Sequence, residues 1–214
     1  MPTIESARSW YPYSDPVHGF DHVLRVYKLA ERLAQSEGAD LEVVRAAALL
    51  HDVTKYQSPE DDSQARRAHH QTSADFAEGI LHAEGWPAER IAAVQHCIRA
   101  HRFRDDSEQP QTIEARVLFD ADKLDAIGAT GVARAIAYAL RDSQPVYSQP
   151  SEGFMQSGEL QPGEPHSAYH EYIFKLSKLK DRLHTASARR LAEKRHHLMA
   201  EFFEQLAAEL DGTA

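Results

Sequence analysis

With 214 residues, 42% of them hydrophobic, the chain has material for a sizeable core, which excludes a disordered or miniature protein. A formal net charge of −9 argues against a long nucleic acid as partner, since that binding needs clustered Lys and Arg against phosphates. The lone Cys97 cannot form an intramolecular disulfide, and residues 1–16 lack the basic and apolar regions of a signal peptide. No run is long and apolar enough for a bilayer, so we expect a soluble cytoplasmic protein with no membrane partner.

Helix signals recur along the chain, and sustained β-alternation is missing. "FDHVLRVYKLAERLAQSEG" places Val23, Val26, Tyr27, Ala30 and Leu33 on one face and stops at Gly38. Asp40 is placed to cap "LEVVRAAALLHD". A polar loop is expected over 57–68, then a helix from Ser73 to Leu81 and another starting at Pro87 or Ala88. "TIEARVLFDADKLDAIGATGVARAIAYAL" reads as two helices meeting near Gly128 to Gly131. Residues 143–168, rich in proline, glycine and serine, read as a long loop. Beyond it, Ile173, Leu176, Leu179 and Leu183 form one stripe, and Thr185 can cap a last helix carrying Leu191, Met199, Phe202, Leu206 and Leu210. The expected plan is all-α and a single domain overall. It comprises an N-terminal arm (1–16), a core (17–142), the long loop (143–168) and a C-terminal helical pair (169–214). The apolar faces of that pair could cover the core or a second copy of the chain, as in a homodimer.

Within these helices lie residues that a core does not ordinarily accept. His22 sits beside Val23 and Val26, with His18 one turn earlier. His51 and Asp52 close the apolar run "AAALL", and Lys55 follows one turn after His51 on the same face. "FDADKLDAIGA" sets Asp120, Asp122 and Asp125 among apolar neighbours. A buried carboxylate without compensation costs several kcal/mol or is driven neutral, so such a group needs a partner. A divalent cation serves imidazole and carboxylate alike. Singly, each of these residues is more often a hydrogen-bonded core or surface side chain, and an acidic run is often a solvated helix start. Their order carries more weight: His, about thirty residues, His-Asp, about seventy residues, Asp, all on helices.

That order, with the contexts "HGFDHVLRV", "AAALLHDVTKY" and "DADKLDAIGATGVAR", resembles the HD superfamily of metal-dependent phosphohydrolases. The tail "KLSKLKDRLHTASARRLAEKRHHLMAEFF" is similar to its YedJ/YpgQ-like branch. The resemblance implies an HD-domain helical bundle with His22, His51, Asp52 and Asp122 as metal ligands. The metal would be a divalent ion, with Mn²⁺, Mg²⁺, Co²⁺, Ni²⁺ and Fe²⁺ all open. In a dinuclear form, His69 and His101 would join a second ion, with His70 and His96 as alternates. Otherwise the same imidazoles would meet phosphate or act as general acids. Asp52, His69, His70 and Lys55 are the expected catalytic set. Lys55, Arg99, His101, Arg102, Lys123 and His18 are the expected contacts to a small phosphorylated substrate. The implied activity is hydrolysis of a nucleotide, foremost a (deoxy)nucleoside triphosphate, to monophosphate and pyrophosphate by metal-activated water. A phosphodiesterase or phosphomonoesterase with a dinuclear site stands beside it, as does a non-catalytic nucleotide-binding protein.

Overall fold

The structure, a computed structural model, describes residues 1–11, 19–54, 63–102 and 108–214, without the side chains of 63–67. Its regular elements are helices, with no strand among the described residues. Among the described residues, ten α-helices follow in chain order: α1 (Ile4–Arg8), α2 (Phe20–Glu37), α3 (Leu41–Leu50), α4 (Ser63–Ala83), α5 (Ala88–Ala100), α6 (Ile113–Asp125), α7 (Gly128–Arg141), α8 (Glu152–Ser157), α9 (Ala168–Phe174) and α10 (Ala186–Leu210). A 3₁₀ segment, Leu176–Arg182, separates the last two.

The chain forms two compact units, the first Met1–Asp122 with His184–Ala188, the second Lys123–Leu183 with Arg189–Ala214. In the first unit α3 is central, packed against α1, α2, α4 and α5. Its composition explains this position. Val43, Val44, Ala46, Ala47, Ala48, Leu49 and Leu50 are all buried, and a helix apolar on nearly every side must be enclosed. Asp40 caps α3 by accepting from the Glu42 and Val43 amides at 2.9 and 3.2 Å. Helix α2 turns its buried face (Val23, Val26, Ala30, Leu33) to this core and ends at Gly38, whose φ of 73° is left-handed and easily adopted without a Cβ.

Helix α4 begins ten residues earlier than the Ser73 start read from its apolar pattern. Its first turns are polar, so hydrophobic periodicity alone could not register them. The segment His184–Ala188 joins the first unit through Asp120. That buried carboxylate accepts from the amides of His184 (2.9 Å) and Thr185 (2.7 Å) and from the Thr185 hydroxyl (2.7 Å). Thr185 Oγ1 in turn accepts from the Ala188 amide at the start of α10.

In the second unit, the stretch read as a long loop contains α8 and is tied down by Glu164. This carboxylate accepts from the amides of Gln161 and Ser151, the Ser151 hydroxyl and His170 Nε2. Those bonds, led by the Gln161 amide, hold its carboxyl down to about 2. The Ile173–Leu183 stripe is not one α-helix. Leu176 and Leu179 are buried on a 3₁₀ segment, whose three-residue turn eclipses that spacing. Asp125, the last acid of the DADKLD run, pairs with Arg134 at 2.6 Å.

Candidate metal centre

The first unit brings four imidazoles, from four helices or their ends, around one carboxylate, that of Asp52. His22 comes from the first turn of α2, His51 and Asp52 from the turn ending α3, His69 from α4 and His101 from the end of α5. All are buried: His22 1%, His51 0%, Asp52 1%, His69 7% and His101 3% exposed. Asp52 has two occupied sides. Its Oδ2 lies 3.8 Å from both His22 Nε2 and His51 Nε2, while Oδ1 lies 3.2 Å from His69 Nε2 and 3.5 Å from His101 Nε2. Asp122 Oδ1 completes the first side, 3.4 Å from His22 Nε2 and 4.0 Å from His51 Nε2. Two groups thus meet metal-ligand spacing, His22–His51–Asp52 and Asp52–His69–His101, each with its ligand atoms within 4.8 Å of one another.

The donor chemistry fits a divalent cation. His51 Nδ1–H donates to the Ala48 carbonyl at 2.9 Å, which leaves the lone pair on Nε2. That buried Nε2 has no hydrogen-bond partner among the described residues, a costly arrangement unless it serves a ligand. His101 is fixed in the same tautomer by donation from Nδ1–H to the Ile98 carbonyl. Burial pushes His51 down to about 4 and lowers His101 as well, so both imidazoles are neutral and able to ligate near pH 7.

Consecutive helical residues point about 100° apart. His69 is therefore the one that meets Asp52, while the buried His70 ring stands edge-on to His69 at 5.9 Å. His96 does not face this cluster. Its Nδ1–H and Arg99 Nε–H both donate to Glu108 at 2.7 Å, and its Nε2 accepts from the Gln111 amide. Lys123 is buried and Arg102 half-buried. His18 and Lys55 lie outside the described residues.

The family model that matches this chain is the HD domain, over residues 19–127, about half its length. All the residues around Asp52 fall inside that span. The chain belongs to the HD-domain family. In sequence it is 34% identical over 198 residues to the uncharacterized protein YpgQ of Bacillus subtilis, covering 91% of this chain and 85% of YpgQ. The crystal structure of Bacillus subtilis YpgQ in complex with ADP shares 32% identity at a TM-score of 0.74, covering 99% of this chain and all of that one. An HD-superfamily hydrolase of Bacillus thuringiensis shares 27% identity at a TM-score of 0.68, covering 97% and 96%. Family and cluster together make the chain a metal-dependent hydrolase of the HD superfamily. Among the described residues, no helix is long and apolar enough to cross a membrane.

Two features of the site had no signal in the sequence. The Tyr11 phenol reaches the Leu49 carbonyl, two residues before His51, at 2.8 Å. Burial, reinforced by the negative charge of Asp52, raises that phenol well above its usual range. The bonds from His184 and Thr185 to Asp120 are equally long-range. Neither pairing has a local pattern.

Proposed function

We propose that the chain hydrolyses the phosphate anhydride of a nucleotide, with a (deoxy)nucleoside triphosphate cleaved to monophosphate and pyrophosphate as the leading reaction. The observation that carries this reading is the buried Asp52 flanked on both oxygens by imidazoles, two of them kept neutral by burial. The ADP in the YpgQ complex supports a nucleotide as ligand. In this reading His22, His51, Asp52 and Asp122 hold one divalent ion. When bound, it supplies Lewis acidity, acidifying water and neutralising phosphoryl charge.

The chain's own residues set the geometry. His51 presents Nε2 because Ala48 takes its other ring N–H, so the ring cannot swing away without losing a buried bond. Asp52 presents a separate oxygen to each histidine pair. In a dinuclear centre His69 and His101 hold a second ion. In a mononuclear centre they present their imidazoles to the phosphate, His69 or His70 donating the leaving-group proton. Lys55, with Lys123 and Arg102, supplies positive charge to the remaining phosphates; Arg99 does so only by leaving Glu108.

The two-sided cluster also favours a second reading, a dinuclear phosphodiesterase or phosphomonoesterase. One panel separates the readings: protein loaded with Mn²⁺, Mg²⁺ or Co²⁺ is offered dNTPs, NTPs, nucleoside monophosphates, dinucleotides and a chromogenic phosphodiester. Pyrophosphate from a triphosphate is the expected product. Free phosphate from monophosphates, or cleavage of the diester alone, supports the second reading. No turnover with any metal refutes both and leaves a nucleotide-binding protein. Elemental analysis reads one ion or two per chain.

A further inference from the structure

The turn that aims His51 and Asp52 depends on how α3 stops. Helix α3 ends at Leu50, and residues 51–54 are turn. The final carbonyls of a helix need partners from outside it. Here each of the last three has a different one. The Ala48 carbonyl accepts from His51 Nδ1 at 2.9 Å, and the Leu50 carbonyl from the Val53 amide at 3.4 Å. The Leu49 carbonyl accepts from the Tyr11 hydroxyl at 2.8 Å, a buried bond across 38 residues of sequence. An uninterrupted α-helix would give the Val53 amide to the Leu49 carbonyl; here that carbonyl is held by Tyr11, the Val53 amide turns to Leu50, and the helix closes just after His51, itself still at φ −63° and ψ −34°.

The segment around Tyr11 is held where it can enforce this. Tyr11 is 4% exposed, and its ring meets Phe20 at 5.7 Å, two residues before His22. The Arg8 guanidinium lies over the same Phe20 ring at 4.7 Å. Trp10 stands edge-on to Phe76 of α4, the helix of His69, at 5.7 Å. Residues 8–11 thus touch elements bearing His22, His51–Asp52 and His69. The HD match begins only at residue 19, so the segment bearing Tyr11 lies outside the matched span while its partners lie inside it.

We propose that Tyr11 is a positioning residue of the metal centre: its hydroxyl ends α3 at the Leu49 carbonyl and thereby sets the turn from which His51 and Asp52 reach their ion. This rests on the metal reading above. Tyr11 touches neither ion nor substrate, and removal of its hydroxyl alone is the test. Tyr11→Phe keeps the ring on Phe20. Metal-free wild type, Tyr11→Phe and Leu179→Ala, a core truncation in the other unit, are each titrated with Mn²⁺, followed by the paramagnetic signal of the free ion. Co²⁺ spectra report ligand geometry, and thermal melts report folding. Loss of a residue that orients metal ligands weakens affinity by roughly 10- to 100-fold. That increase in Kd is expected for Tyr11→Phe, with an altered Co²⁺ spectrum, while Leu179→Ala keeps the wild-type Kd despite a lower melting temperature. The titration is repeated in trimethylamine N-oxide, which restores compactness but not the missing bond. A Kd defect that persists there supports the proposal. Tyr11→Phe binding as wild type, recovery in the osmolyte, or an equal defect in Leu179→Ala overturns it while the metal reading stands. Wild type that binds neither Mn²⁺ nor Co²⁺ overturns both.

Discussion

In the metal-free protein, lowering the pH should destabilise the fold through His51. In the folded chain its imidazole is pushed down to about 4, chiefly by burial, whereas an unfolded histidine titrates near 6.5. Because the folded value is depressed, the unfolded state binds more protons as pH falls through 6.5, so stability drops on acidification and the loss levels off below about 4. From these two values, the loss from His51 alone is about 2 kcal/mol between pH 7 and pH 5. His101, also lowered by burial, adds to it with the same sign. The assay is urea unfolding of the chelator-treated protein at pH 7, 6 and 5, wild type against His51→Gln. The variant carries its own packing cost, so only the pH dependence is compared. Wild type should lose about 2 kcal/mol more than His51→Gln over this range. Equal pH dependence of the two proteins would refute the assignment of a buried neutral imidazole at residue 51.

Three further outcomes are expected. Asp52→Asn removes the carboxylate that faces both histidine pairs, so Mn²⁺ binding at both sides and hydrolytic activity should fall by more than the roughly 10- to 100-fold that loss of a ligand-orienting neighbour costs, measured by elemental analysis and turnover; retention of one full ion would show that the two sides are independent. Asp120→Asn leaves buried donors of His184 and Thr185 without a full acceptor and should cost about 1–3 kcal/mol in urea unfolding, with the fold otherwise kept. In the second unit, a Cβ on Gly158 would lie 1.7 Å from the Phe174 ring at a φ of +74°. Gly158→Ala should therefore lower the melting temperature markedly, and pairing it with Phe174→Ala should recover only part of the loss, since the backbone strain persists.

The fold class was legible because helices write their burial into short-range spacing. Val23, Val26, Ala30 and Leu33 announce α2, and Asp40 and Gly38 mark helix ends through local hydrogen bonding and backbone freedom. Where the spacing is polar or turns by three residues, it misleads, as in the first turns of α4 and the 3₁₀ run after α9. The candidate metal cluster was legible in outline for another reason. An aspartate and histidines on apolar helix faces are costly enough to need a common partner, and His22, His51, Asp52 and Asp122 stand in family order.

Residue order and helical spacing thus set which side chains are available for the chemistry, and which helices carry them. Tertiary structure alone decided how they meet. It selected His69 over its neighbour His70 as the ring facing Asp52, because adjacent helical residues diverge. It put His101 there and turned His96 to Glu108. It also bonded Tyr11 to the Leu49 carbonyl and Asp120 to His184 and Thr185. These last bonds join residues remote along the chain, through backbone groups that every residue type carries alike. No local pattern can encode them; packing within the first unit supplies them.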